Sequence, residues 1–143
     1  MSELALAFYA ASAVAAMMAA TASGLLGPDL FARAADARAE ELNVVEGLLR
    51  YNHSMNQAFA KILVATSSAA IGLWSIEILR TGRMRQATGI VGCVVAFITL
   101  AVLFTGCLTL DVHGFGAVVL GQAVWLILAG SELRRVGART EAA

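Results

Sequence analysis

The sequence predicts an all-α protein, a four-helix transmembrane bundle with a long amphipathic helical extension between helices 1 and 2. Four apolar runs, at residues 4–26, 58–79, 87–110 and 114–131, each approach the roughly 20 residues that a helix needs to cross about 30 Å of hydrocarbon. Of the 143 residues, 59% are hydrophobic and 14% are charged, far from soluble averages. Only residues 29–57 are amphipathic enough to cover such runs. We therefore expect a single integral membrane domain in contact with a lipid bilayer.

The first run is rich in small residues and predicts a helix that contacts protein more than lipid. The only charge ahead of it is Glu3, whereas a cleaved export signal would carry Lys or Arg there, so we expect a retained span. Small residues at four-residue spacing let membrane helices approach closely. The partner is either the second and fourth helices or another subunit. The residues of this predicted interaction surface are Ala7, Ala11, Ala15, Ala19 and Ser23.

The only proline predicts the end of the first helix. Pro28 follows Gly27, and glycine followed by proline is typical of a helix C-terminus, after which Asp29 can cap a new helix. Residues 29–57 are mostly strong helix formers. We expect either one long helix projecting from the membrane or an interfacial helix with a kink near residues 52–56.

This extension has two faces when it is placed on a helical wheel. The polar face predicts a solvated surface with a Glu46 to Arg50 ion pair, or alternatively the wall of a polar pocket. Asn52 and Asn56 lie on the more apolar face, where amides need hydrogen-bond partners. Those partners are a lipid headgroup, a quinone or another helix. The apolar face is made of Val45, Leu48, Leu49, Asn52, Asn56, Phe59 and Leu63, and the polar face of Glu46, Arg50, His53, Gln57 and Lys61.

Short connections make the second, third and fourth spans antiparallel neighbours. If the partner of the first span is not another subunit, small residues of the second and fourth spans, Gly72 and Gly121 among them, would face it. Gln122 is the only strongly polar side chain deep in the fourth span, so we expect it to face the bundle interior or a subunit contact. The aromatic residues Tyr9, Trp74 and Trp125 are placed where an interfacial belt would anchor the bundle. Residues 135–143 are expected to form a short cytoplasmic tail.

Arginines are concentrated on one predicted side of the membrane. Six of them lie between the second and third spans or after the fourth, on the side that holds both termini. By the positive-inside rule this side is cytoplasmic, and the acidic extension lies opposite. The expected location is a bacterial inner membrane with cytoplasmic N and C termini. The six are Arg80, Arg83, Arg85, Arg134, Arg135 and Arg139.

The two histidines are the candidate cofactor ligands. His53 precedes the second span and His113 opens the fourth, so both belong to the same membrane face on parallel helices. Two imidazoles at similar depth suit a b-type haem or a quinone site. A metal site would also have to recruit Asp111 or Glu46. The alternative is that both are ordinary interfacial histidines.

One pattern resembles a motif of the small four-span eicosanoid and glutathione enzymes of membranes, an arginine followed by Asn-x-x-Glu. Here it is formed by Arg38, Asn43 and Glu46. The arginine is one residue too distant, and the motif precedes the second span by about a dozen residues instead of lying inside it. The resemblance implies a membrane enzyme acting on a lipid or a thiol conjugate, and these departures leave the family unassigned.

The function expected from these observations is that of a small membrane interaction protein. It would be an accessory subunit or assembly factor of a larger membrane complex, or a homo-oligomer. The alternatives are a redox subunit holding haem or quinone near His53 and His113, and a small membrane enzyme. Phosphate-binding, nucleophile-elbow and zinc-protease signatures are absent from the sequence, and no basic surface suits nucleic acid.

Overall fold

The computed structural model describes residues 2–82, 84–107 and 112–141, and of residues 39, 112 and 138–141 it describes only the backbone. The described part of the chain is all-helical apart from its turns. Its helices are α1 (Ser2–Thr21), α2 (Gly27–Asp36), α3 (Ala39–Thr81), α4 (Gln86–Phe104) and α5 (Val112–Glu141), with a π-helical turn at Ala22–Leu26. Four segments are long and apolar enough to cross a membrane: Ser2–Asp36, Glu40–Thr81, Gln86–Phe104 and His113–Gly137.

The first helix does not end at Pro28, so that prediction is wrong. It passes through the π-helical turn into α2, with helical backbone angles at Leu26 and Gly27. A proline inside a helix lacks one N–H and crowds the carbonyl one turn earlier, and a wider turn just before it relieves that crowding. Asp29 accordingly caps nothing and instead accepts a hydrogen bond from Arg33 at 3.0 Å.

The chain reverses at Ala37 and Arg38, both of which have extended backbone. The predicted extension 29–57 is therefore divided between two helices: α2 and the first part of α3 form a hairpin, which we call the hairpin arm (residues 27–57). α3 continues without a break for 43 residues, about 65 Å at 1.5 Å per residue. The predicted alternative with a kink near residues 52–56 is not observed.

α3 is the central helix of the bundle. α1 packs along it, α4 packs along it at another face, and α5 contacts α4 and, over a shorter length, α3. Of the predicted small-residue ladder of α1, Ala15 is buried and Ala19 is half-buried, whereas Ala7, Ala11 and Ser23 are exposed. A four-residue spacing advances 400° around a helix, so such a ladder turns away from a straight contact by about 40° at each step. The α1 residues buried against the bundle are Ala5, Ser12 and Ala15.

The closest helix packing joins α3 to α4. A Cβ atom added at Gly92 would collide with the Ser75 hydroxyl and with the indole nitrogen of Trp125. One added at Gly72 would meet the Cβ of Ala96 at 3.3 Å. Gly72 therefore faces α4, and so does Gly121, where an added Cβ would meet Val95 at 3.8 Å. Neither glycine faces the first span, as it would in one of the two alternatives that the sequence leaves open. Glycine at these positions lets the two backbones approach, which is how membrane helices gain packing contacts.

The ends of α4 and α5 also differ from the predicted spans. α4 ends at Phe104 and not near residue 110, and Gly106 follows with a φ of 73°, a left-handed conformation that suits glycine after a helix. Residues 108–111 lie outside the described part of the chain. α5 extends to Glu141, so residues predicted as a tail after position 135 continue the helix.

The two ends of the bundle carry different residues. The arginine end is where α1 begins and where α3 and α5 finish, near Ser2, Arg80 and Arg134. The hairpin end is the opposite one, beyond which the hairpin arm continues.

Candidate functional site

The hairpin arm carries large apolar side chains that no described residue covers. On α3, Val44 is 65% exposed, Leu48 is 48% exposed and Tyr51 is 65% exposed. Their spacing of four and three residues places them on one face of the helix, and we call them the arm stripe. Phe31 of α2 is 67% exposed on the same arm. Single exposed apolar residues are common on proteins, but a continuous row of them is typical of a binding surface.

The arm stands beyond the other helices. Among the described elements, α2 contacts only α3 and the neighbouring π-helical turn. The part of α3 before the predicted span, residues 39–57, is 19 residues long, which corresponds to about 28 Å. The hydrocarbon of a bilayer is about 30 Å thick. A bilayer whose hydrocarbon covered residues 58–79 would therefore not reach Val44.

The amide of Asn52 connects the arm to the turn after α1. Asn52 of α3 donates a hydrogen bond from Nδ2 to the backbone oxygen of Ala22, at 2.9 Å. The same oxygen accepts the backbone N–H of Gly27, five residues later, as the π-helical turn requires. Of the hydrogen-bond partners predicted for the Asn52 amide, the structure shows another helix, through the Ala22 oxygen. Asn56 is half-buried one turn further along α3.

Of the five residues on the polar face of the extension, Gln57 is half-buried and the other four are exposed. Glu46, Arg50 and His53 are exposed, and the guanidinium of Arg50 lies 3.9 Å from the carboxylate of Glu46. Arg38 and Asn43 are exposed too, and Glu46 faces Arg50 and not Arg38. The residues of the enzyme-like motif are therefore spread along an open helix surface.

The two histidines do not share an enclosed site. Both are exposed. Gln122 of α5 contacts Ser68 of α3, so the residue numbers of the two helices at equal depth differ by 122 − 68 = 54. His113 is therefore level with residue 113 − 54 = 59 of α3. His53 then lies 59 − 53 = 6 residues further out, about 9 Å. Among the described residues no group of three His, Cys, Asp or Glu could hold a metal ion, and Asp111 lies outside them.

Gln122 ties α5 to α3 in the middle of the bundle. Its Nε2 donates to the hydroxyl of Ser67 at 2.9 Å and to that of Ser68 at 3.1 Å. Both serines are buried. An amide between two hydroxyls satisfies polar groups that lipid could not, so this cluster serves the packing of the bundle.

A row of three aromatic rings crosses the bundle toward the arginine end. The ring centroids of Tyr9 and Trp74 are 5.6 Å apart, and those of Trp74 and Trp125 are 6.4 Å apart with nearly parallel planes. Trp125 is only 2% exposed, and its indole N–H donates to the backbone oxygen of Thr88 at 3.1 Å. The prediction of an interfacial belt is therefore wrong for Trp125, because Gly92 leaves room for the indole inside the bundle.

A cleft of about 640 Å³ opens beside this row at the arginine end. It lies between the start of α1, the end of α3 and the end of α5. Its walls are largely apolar, with one carboxylate. The side chains that define it are Trp74, Glu77, Ile78, Trp125, Leu126 and Leu133.

Sequence reasoning did not identify this cleft. Tryptophan near the end of a span is typical of the membrane interface, so neither indole indicated an interior position. The one usable signal was Gly92, a residue without a side chain in the middle of an apolar helix. It indicates close approach by another helix only when the opposing residues are known.

The chain matches no family model, no curated protein and no solved structure.

Proposed function

We propose that the protein is a membrane interaction protein, an accessory subunit or assembly factor of a larger membrane complex or a homo-oligomer, which binds its partner through the hairpin arm. The observation that supports this most is the uncovered arm stripe of Val44, Leu48 and Tyr51. It lies on a helix that extends well past the length needed to cross a bilayer.

The chemistry of the arm favours a protein partner over a lipid surface. Residues 27–57 contain five carboxylates, those of Asp29, Asp36, Glu40, Glu41 and Glu46, and three arginines, Arg33, Arg38 and Arg50, so their formal charge is 3 − 5 = −2. Helices that lie on anionic membranes are instead rich in Lys and Arg on their polar face. An apolar row flanked by mixed charges resembles the core and rim of a protein interface.

A second surface supports the same proposal inside the membrane. α1 contacts α3 and the adjoining turn, and no other described helix. Ala7 and Ala11 are exposed on its outer face, with Val14 and Met18 beside them. Small residues there allow a helix of another chain to approach closely.

The orientation we propose follows from the arginines. The arginine end carries Arg80, Arg85, Arg134 and Arg135, which by the positive-inside rule favours the cytoplasm. Both termini then lie in the cytoplasm of a bacterial inner membrane, and the hairpin arm lies on the opposite side.

The binding surface is tested by paired double variants. Val44→Ser with Leu48→Ser alters the arm stripe. Asn43→Ser with Gly47→Ser has the same spacing, one residue earlier, at exposed positions outside it; a Cβ at Gly47 meets no atom within 4 Å. Purified in mild detergent, the wild type should contain more than one chain by mass measurement. The stripe variant should lose that association at unchanged thermal stability, and the control should keep it.

Two results would count against the proposal. One is a wild type that purifies as a clean single chain with nothing bound. The other is a stripe variant that associates as well as the wild type does.

The orientation has its own test. Glu40→Cys and Arg134→Cys, each in a Cys93→Ser, Cys107→Ser background, would be treated with a membrane-impermeant thiol reagent on intact cells. We expect labelling at position 40 alone. Equal labelling at both positions would contradict the proposed orientation while leaving the arm stripe untouched.

A further inference from the structure

We infer that the hairpin arm binds a second copy of this chain, with the two α3 helices side by side, parallel and in register. This inference rests on the proposed interaction function and names its partner. It depends on a row of side chains along α3 that continues beyond the arm stripe.

The row extends the arm stripe toward the membrane. Met55, Ala58 and Ile62 follow Val44, Leu48 and Tyr51, so the spacing alternates between four and three residues throughout. Ala58 is exposed, Ile62 is 47% exposed and Met55 is half-buried. We call these six residues the α3 seam. An apolar repeat that averages 3.5 residues is the pattern by which two helices pack along each other.

The α3 seam is separate from the face that α3 uses within its own chain. That face lies one residue further along, and Asn52 shows that it meets the turn after α1. One residue turns a helix by about 100°, so the seam is left open beside this contact. The residues of the covered face are all half-buried: Val45, Leu49, Asn52, Asn56, Phe59 and Leu63.

Insertion in one orientation would place two seams in register. The arginines favour the same orientation for every copy, and two such copies are related by a twofold axis along the membrane normal. Their α3 helices then run parallel, with equal residues at equal depth. Each seam residue meets its own counterpart without a shift along the helix.

The residues beside the seam favour a second copy over a different chain. In paired helices, charges at the flanking positions select the partner. Glu46 and Arg50 lie on other faces of α3 and contact each other at 3.9 Å, and the Lys61 ammonium can turn outward. Like charges of two copies are therefore kept apart. The six flanking residues are Val45, Gly47, Asn52, Ser54, Phe59 and Lys61, of which only the last is charged.

Single cysteines test the seam in native membranes. The background is Cys93→Ser with Cys107→Ser, and copper phenanthroline is the oxidant. A disulfide needs Cα atoms within about 7 Å of each other, so seam variants should form several-fold more product of twice the chain mass than variants at other faces do. The seam variants are Leu48→Cys, Tyr51→Cys and Ala58→Cys, and the controls are Glu46→Cys, Arg50→Cys and His53→Cys, all at exposed positions. Equal cross-linking on all faces, or none on the seam, would overturn the inference.

A charge exchange at one position separates self-pairing from misfolding. Leu48→Glu and Leu48→Lys each bring like charges together in a symmetric pair and should each weaken association by about tenfold or more. Produced together with different tags, the two variants should associate again, because opposite charges then meet. Asn43→Glu, at an exposed position outside the seam, should associate as the wild type does. Failure of the two Leu48 variants to restore each other would contradict direct pairing of the seams.

These outcomes distinguish this inference from the proposed function. If the wild type binds a different chain through the arm stripe and no seam variant cross-links, the second copy is excluded and the proposed function stands. If the wild type purifies as a single chain with nothing bound, both are contradicted.

Discussion

The two halves of α3 are stabilised in different ways. Toward the arginine end, Gly92, Ser75 and Trp125 meet so closely that no extra methyl group fits between them. Along the hairpin arm, α3 pairs with α2, which among the described elements contacts only α3 and the π-helical turn, and Asn52 donates a hydrogen bond to Ala22. The arginine-end half of α3 is thus closely packed against α4 and Trp125. The arm half instead carries the exposed arm stripe of Val44, Leu48 and Tyr51.

The largest expected effect tests the tightly packed half. Gly92→Val should destabilise the protein by about 3 kcal/mol through overpacking, with a further loss of about 1 kcal/mol if the indole of Trp125 leaves the carbonyl of Thr88. Unfolding in mixed micelles would measure the free energy, and a red shift of tryptophan emission would report the indole. Gly116→Val is the matched control, because a side chain there meets open space. Equal losses in the two variants would show that the close approach is unimportant.

An intermediate effect is expected in the arm. Asn52→Ala removes the hydrogen bond to Ala22 and should cost about 1 kcal/mol. The loss should be local, so hydrogen exchange should rise in residues 27–57 and stay unchanged around Trp125. Asn43→Ala, at an exposed position of the same helix, should change neither. Faster exchange throughout the bundle after Asn52→Ala would mean that the two halves of α3 are not independent.

The smallest effect compares ion pairs in the two regions. Glu132, whose side chain is 12% exposed, contacts Arg85 and Arg135, which are 73% and 61% exposed. Because the arginines are largely in water, Glu132→Gln should cost no more than about 1 kcal/mol, and less at high salt. Arg50→Gln on the arm breaks a longer, exposed pair and should cost about nothing. A larger loss of stability in Arg50→Gln than in Glu132→Gln would contradict this expectation.

The sequence predicted the helices better than the contacts between them. Four apolar segments follow from length and composition, and the described part of the structure has four helical segments long and apolar enough to cross a membrane. A helix end at Pro28 is predicted because glycine followed by proline is typical of a helix C-terminus. In the structure the helix continues through a π-helical turn, in which the backbone oxygen of Ala22 accepts hydrogen bonds from Gly27 and Asn52. Asn52 lies 30 residues from Ala22 along the chain, so no local pattern contains that pair.

Among the candidate surfaces, too, features within one helix could be predicted, whereas contacts between helices could not. The ion pair of Glu46 with Arg50 could be predicted from helical spacing, because residues four apart on a helix are neighbours. Ala7, Ala11 and Ser23 fit the same four-residue ladder as Ala15, yet they are exposed. Which face of an alanine-rich helix is covered depends on the crossing of two helices, which spacing within one helix does not determine.

By itself, the sequence determined which segments are helical and apolar enough to cross a membrane and where the arginines are concentrated, because both depend on residue types within one stretch of chain. Only the tertiary structure decided that the extension folds back as a hairpin, that Trp125 is buried against Gly92, and that Glu77 shares a cleft with two indoles. Those results depend on side chains from different helices filling one space, and that space exists only once the helices have packed.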